Sequence, residues 1–255
     1  MRFRVSVVVG VVLLVATLAL ARPTFAASTS DPKAAALADK VMQSLGGSEA
    51  WNNTHYLRFD FAVDKGGKTL VRRAHTWDKW TGQYRLESTT KEGAPSVVLM
   101  NVNTREGSAF LKGKKLEGEE AKKAVEEAYG TWVNDTYWLL MPYKMKDPGV
   151  VLALDGEDKQ GAEAWDKVRL TFDNVGLTPK DKYVAYVNRK TGLVDRWDYV
   201  LKGEKKPPST FTWKNWKSYG KIQLADDRVS ADGTRIYFPV LEVPASVPAA
   251  VFTTP

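Results

Sequence analysis

The chain has 255 residues, no cysteine, nine tryptophans, 44% apolar residues, and 37 basic against 30 acidic side chains. The missing cysteines exclude a disulfide scaffold, a thiol enzyme and a lipid-modified amino terminus, and the charges are spread too evenly for a surface that tracks phosphates. One domain of the larger all-β or α+β kind fits this length, with enough apolar residues for a sizeable core.

Met1 to Ala26 reads as an export signal: Arg2 and Arg4 form the basic start, Val5 to Ala21 the apolar stretch, and Thr24-Phe25-Ala26 a small-residue cleavage site. Ala19-Leu20-Ala21 is a second such site, and an uncleaved anchor is the competing reading. Cleavage removes three of the 37 basic residues (Arg2, Arg4 and Arg22), which leaves 34 against 30 acidic ones and a mild +4 in place of +7. The expected product is a periplasmic or secreted protein whose single domain spans 27–244, followed by a loose tail, 245–255, punctuated by Pro248 and Pro255.

Ser30-Asp31-Pro32 supplies a cap and a proline for the first helical position, and Ala34, Leu37, Ala38, Val41, Met42 and Leu45 then recur at helical spacing before Gly46-Gly47. From Tyr56 the period becomes two, with Leu57, Phe59, Phe61 and Val63 on one face. Strand-like runs follow at Thr69 to Trp80, Tyr84 to Thr90, Ser96 to Val102 and Ser108 to Lys112, each bounded by glycine-bearing turns, as in an antiparallel meander.

Glu119 to Pro148 is the one strongly helical stretch, and strands lie on both sides of it. Ala121, Ala124, Val125 and Ala128 form an apolar stripe, and Glu119 and Lys123 stand four apart. Gly130 is expected to stop this helix, Asn134 to cap a second one, and Pro142 to end that one after Tyr137-Trp138-Leu139-Leu140-Met141. Further strands are expected at Val150 to Leu154, Lys167 to Phe172, Tyr183 to Asn188, Leu193 to Leu201, Thr210 to Tyr219, Ile222 to Arg228 and Ile236 to Val243. Asn188 to Gly192 closes the clearest hairpin.

The two histidines, His55 and His75, lie in no metal-binding spacing, and neither a nucleophile elbow nor a phosphate-binding glycine loop occurs. His75 beside Asp78 or Asp60 is the one arrangement that offers acid–base chemistry. The aromatic residues are the stronger signal. Core packing accounts for most of them, yet a strongly curved sheet capped by helices encloses a concavity that must be filled or hold an apolar ligand. Phe59, Phe61, Trp77, Leu86, Met100, Trp132, Trp138, Leu139, Met141, Trp197, Tyr199 and Trp213 are the candidate wall and lid of such a cavity. Sugar stacking is the alternative use of the tryptophans, and it requires an exposed groove.

The N-terminal helix leading through Gly-Gly and Trp51 into Tyr56-Leu-Arg-Phe-Asp-Phe61, the Trp77 to Leu86 region, the mid-chain helical insertion and the Val187 to Val194 hairpin resemble the LolA/LolB-like superfamily over Asp31 to Lys202. That superfamily includes periplasmic outer-membrane lipoprotein-sorting carriers. The resemblance implies a mainly β (α+β) fold, a strongly curved antiparallel sheet forming an unclosed half-barrel of about 11 strands, with an N-terminal helix and a mid-chain helical lid or plug. It departs from the family in the longer region after Lys202 and in Trp77-Asp-Lys-Trp-Thr-Gly82, where a Trp-x-x-x-Pro element is expected.

The leading expectation is a soluble, non-catalytic periplasmic binder or carrier of a lipid or lipoprotein acyl chain. It is a monomer with no cofactor, no metal and no nucleic-acid partner, and envelope membrane proteins are its further partners. The alternative is an exported enzyme or envelope sensor that reuses the half-barrel around His75. A third reading is an envelope protein with a filled core and protein partners alone.

Overall fold

The computed structural model describes residues 29–255 apart from Asn174 and Lys205, so the expected signal, Met1 to Ala26, lies outside the described residues. α1 (Pro32–Ser44) starts as its sequence dictates: the Asp31 carboxylate accepts from the N–H of Lys33 (2.7 Å) and Ala34 (3.4 Å), with Pro32 in the first turn. Gly46 ends it at φ +110°, where a Cβ would stand 2.1 Å from the Lys221 carbonyl oxygen, so only glycine permits this approach. A second helix that the spacing did not predict, α2 (Gly47–Asn53), follows directly. It has no side-chain cap. Its fixed point is tertiary, the Trp51 ring stacked 4.4 Å from Tyr143.

Six strands come next: β1 (Tyr56–Lys65), β2 (Lys68–Asp78), β3 (Gln83–Thr89), β4 (Pro95–Asn101), β5 (Glu106–Leu111) and β6 (Lys114–Lys115). After the central helix, α3 (Gly118–Leu140), come β7 (Val150–Gln160), β8 (Glu163–Phe172), β9 (Lys182–Asn188), β10 (Val194–Val200), β11 (Ser209–Thr212), β12 (Lys214–Tyr219), β13 (Ile222–Val229), β14 (Arg235–Tyr237) and β15 (Leu241–Glu242). The strands among the described residues number fifteen, where about 11 were expected. β6 is additional, and two expected strands are broken. Thr210 to Tyr219 breaks at Trp213, whose indole turns into the core, and Ile236 to Val243 breaks at Phe238-Pro239-Val240, where proline has no N–H for the ladder.

All described pairings are antiparallel. β12-β13-β14-β1-β2-β3-β4-β5-β6 form one sheet, with β15 also on β1, and β11-β10-β9-β8-β7 form the other. A lone bridge from Phe211 to Ser230 joins the two, so the strands make one long curved wall whose free edges are β6 and β7. The chain runs from one edge to the other through α3, which places that helix in the open side of the half-barrel.

α3 is one continuous helix, which corrects the expected break at Gly130 and restart at Asn134. The residues that follow Gly130, Thr131 to Trp138, are weaker helix formers, so burial of Val125, Ala128, Leu139 and Leu140 on either side of it, rather than local propensity, carries the helix through. Asn134 does not cap a helix; its Nδ2 donates to Asp135 Oδ1 at 2.8 Å. The stop at Pro142 is as expected: α3 ends at Leu140 and a 3-10 turn, Met141–Lys144, follows. Glu119 pairs with Lys122 and Lys123 approaches Glu127, so the expected Glu119–Lys123 pair does not form. The Tyr143 hydroxyl lies between the carbonyls of Leu45 (3.0 Å) and Gln223 (2.7 Å) and clamps the end of this segment to α1 and β13.

Two apolar clusters line the concavity. The larger contains Phe59, Phe61, Leu139, Met141, Trp197 and Trp213; the smaller joins Tyr84, Leu86, Val98 and Met100 to Val125 and Ala128 of α3. The segment expected as a loose tail carries a short 3-10 helix, Ala249–Phe252, and Arg85 of β3 donates to the carbonyls of Val251 (3.3 Å) and Thr254 (2.6 Å).

Candidate functional site

The parity of β1 and β2 decides which side chains enter the half-barrel. Phe59 faces His75 across the ladder and Phe61 faces Arg73, so His75 and Arg73 point inward, while Asp60 and Asp78 occupy the opposite parity. The expected partners of His75 are therefore wrong. Asp60 sits between Arg58 (2.6 Å) and Arg72 (2.9 Å), and Asp78 lies 3.0 Å from His55. The carboxylate that meets His75 comes from α3.

Asp135 is fully buried, and Arg73 grips it with two bonds of 2.7 Å. His75 Nε2 lies 3.1 Å from Asp135 Oδ2, close but poorly aligned, and His75 Nδ1 lies 2.7 Å from the Tyr84 hydroxyl. Phe59 stacks on the imidazole at 4.4 Å and 8°. Burial holds His75 below its ordinary value and outweighs the pull of Asp135, so the ring is neutral. Burial alone would raise Asp135, but contact with His75 and Arg73 more than offsets that and keeps it ionised. The Tyr84 phenol, pushed far up by burial, stays protonated and donates to Nδ1. The His75 ring has no exposed surface and no substrate can reach it. Chemically, the relay can tie α3 to β2 and β3, and little else.

The other side of α3 is different. Between the helix and β8, β9 and β10 lie two adjoining cavities of about 250 and 290 Å³ that share Val133, Tyr137, Leu177, Thr178 and Tyr183. The first extends to Trp132 and Phe172, the second to Trp138, Trp197 and Tyr199. The rings brace one another, with Trp138 4.7 Å and Tyr183 5.0 Å from Trp197. Burial raises the phenols of Tyr137 and Tyr183, so both are neutral at pH 7. The Tyr137 hydroxyl is buried and has no hydrogen-bond partner among the described residues, and that of Tyr183 donates weakly to Asp181 at 3.3 Å. Charged side chains in the two walls are limited to the Lys144–Asp147 pair in the first and the buried Asp181 in the second. Apolar walls with a few polar groups at the edge suit an apolar ligand. A third groove, about 690 Å³, lies between β2–β4 and α3, with Arg72, Arg73, Ser88, Thr90 and Lys91 in its wall.

The sequence-derived candidates divide among these places. Trp138, Trp197 and Tyr199 wall one cavity, Trp132 the other, and Leu86 the third groove. Phe59, Phe61, Leu139, Met141 and Trp213 lie in the larger core cluster and Met100 in the smaller, with Trp77 packed against both. Neither Leu139 nor Met141 lines the two cavities beneath α3. Val133, Tyr137, Phe172, Leu177 and Tyr183 were not singled out as site residues. Leu177 carried a usable signal, an apolar side chain stranded in the polar loop Asp173 to Asp181. Among the described residues no group of three metal-ligating side chains occurs, and no helix is long and apolar enough to cross a membrane.

No protein-family model and no curated protein sequence matches the chain. Solved structures do. The chain is similar to a DUF1329 family protein from Desulfovibrio piger, with a TM-score of 0.51 at 13% identity over 88% of this chain and 98% of the other. It is also similar to a LolA superfamily protein from Nitrosomonas europaea, with a TM-score of 0.51 at 11% identity over 86% and 96%. The fold is LolA-like, an unclosed curved sheet around a mid-chain helix.

Proposed function

We propose that on this LolA-like half-barrel the chain is an exported, non-catalytic binder or carrier of an apolar ligand, the acyl chain of a lipid or lipoprotein, in the space between α3 and β8–β10. The observation that carries the reading is the pair of adjoining cavities walled by Tyr137, Trp138, Tyr183 and Trp197, with Lys144, Asp147 and Asp181 the charged side chains among their lining residues. Together they fall within the size range of small-molecule pockets, about 300–1,000 Å³. Burying an acyl chain there gains about 0.8 kcal/mol per methylene, and an aromatic wall supplies contact area without demanding one ligand shape. No chemistry is needed for this role. The enzyme alternative rests on His75, whose ring is sealed beneath Phe59, Tyr84 and Asp135.

The test is uptake of a fluorescent fatty-acyl probe, measured beside unfolding by urea. Val133→Glu, which puts a charge into the wall shared by both cavities, is expected to abolish uptake with a loss of stability below about 1.5 kcal/mol, because the side chain borders open space. Leu139→Ala removes a core side chain and is expected to cost about 2–5 kcal/mol. Wild type that takes up no probe, or Val133→Glu that binds it as wild type does, refutes the proposal.

A further inference from the structure

Two of the large apolar side chains that the described structure leaves in water, Leu177 (48% exposed) and Leu201 (43%), line the same cavity as Trp138 and Trp197. Single exposed leucines are ordinary, but two on the rim of one apolar cavity form a patch. Asp181 holds them together: its buried carboxylate accepts the Lys202 N–H at 2.6 Å and the Tyr183 hydroxyl at 3.3 Å, joining the loop of Leu177 to that of Leu201. Around the two leucines stand lysines. Lys180 lies beside Gly203, Lys182 faces Val200 across the β9–β10 ladder, and Lys202 follows Leu201. All three are exposed, and among the described residues none has a carboxylate within ion-pair distance. Lys206 pairs with Glu204 at 2.6 Å, and Asp181 turns its charge inward, so the acids of this rim oppose the lysines only in part.

We propose that this rim docks the protein on an anionic lipid bilayer. Leu177 and Leu201 enter the boundary of the acyl layer while Lys180, Lys182 and Lys202 reach the acidic headgroups on their flexible stems. Lysine is depleted from protein–protein contacts, so the ring of lysines favours a lipid surface over a protein partner. Docking in this place sets the cavity mouth against the source of acyl chains, and in that respect the proposal rests on the binding function given above.

Sedimentation with vesicles tests it: phosphatidylcholine alone, and phosphatidylcholine with about one third phosphatidylglycerol, at low and at physiological salt. Wild type is expected to bind the anionic vesicles, more weakly as salt rises, and to leave the neutral ones in the supernatant. Each lysine near such a surface contributes about fivefold, so the triple Gln variant at Lys180, Lys182 and Lys202 is expected to bind about a hundredfold more weakly. Leu177→Ser with Leu201→Ser is expected to lose anionic binding while keeping its fold by circular dichroism. Equal sedimentation of wild type with both vesicles, with neither, or of the lysine variant as wild type overturns the proposal. Uptake of a soluble acyl probe without vesicles separates the two readings: uptake without docking sinks this inference alone, and docking without uptake sinks the binding function alone.

Discussion

Toward β2–β5, α3 presents Val125, Ala128 and Asp135 to a wall that fixes each of them, the last through two guanidinium bonds of 2.7 Å. Toward β8–β10 the same helix presents Gly130, Val133 and Tyr137 to aromatic rings that stand far enough off to leave cavities of about 250 and 290 Å³. The contrast shows how one helix can be both fixture and wall. A buried carboxylate is tolerated only where its partners are in place, so it pins the helix in one seat, and a helix so held need not pack tightly on its other face. Space for a ligand on one flank is made possible by specific attachment on the other.

The largest expected effect breaks the attachment. Asp135→Asn keeps the shape but leaves Arg73 facing a neutral amide, and it is expected to cost about 3–5 kcal/mol in urea unfolding and to lower acyl-probe uptake as α3 loosens. A loss below about 1 kcal/mol would mean that apolar packing alone seats the helix.

A smaller effect lies in pH dependence. Burial holds His75 below 6.5 in the folded state, so the unfolded imidazole takes up a proton that the folded one refuses. Stability therefore declines as pH falls through 6.5, and declines further below 3.8, the ordinary value of an aspartate, because Asp135 is held lower still in the fold. Unfolding midpoints across pH are expected to flatten between these two values in His75→Gln, with probe uptake at pH 7 retained. Curves that run parallel in wild type and variant would remove His75 from the attachment. Loss of function at pH 7 in a folded His75→Gln protein would restore the enzyme reading.

The smallest effect sharpens the comparison on the open flank. Gly130 sits inside α3 at an ordinary helical φ, and among the described residues outside its own helix backbone a Cβ there would meet Leu177 Cδ1, at 3.9 Å. Gly130→Ala is expected to stabilise the protein by about 0.5–1 kcal/mol through the unfolded chain, since 3.9 Å is normal contact. Destabilisation would show that the loop carrying Leu177 packs closer on the helix than these distances allow.

Local chemistry in the sequence alone determined the first helix with its Asp31 cap, the alternating meander from Tyr56, the stop at Pro142 and the mainly β content, because capping, period and proline act within a few residues, while the curved half-barrel came as what the family resemblance implies. Parity along β1 already excluded Asp60 from the face of Phe59, and an inward Arg73 already required a carboxylate. What sequence could not supply was the identity of that carboxylate, since 62 residues separate Arg73 from Asp135 and nothing local links them. It also could not divide the aromatic residues between core and cavity. Trp138 and Leu139 are neighbours on one helix turn, yet the first borders open space and the second is sealed, because that depends on the angle at which α3 lies between two walls brought together from opposite ends of the chain. Gly130 carries the same lesson: its own propensity argued for a stop, and the packing of the whole helix on both flanks carried the backbone through.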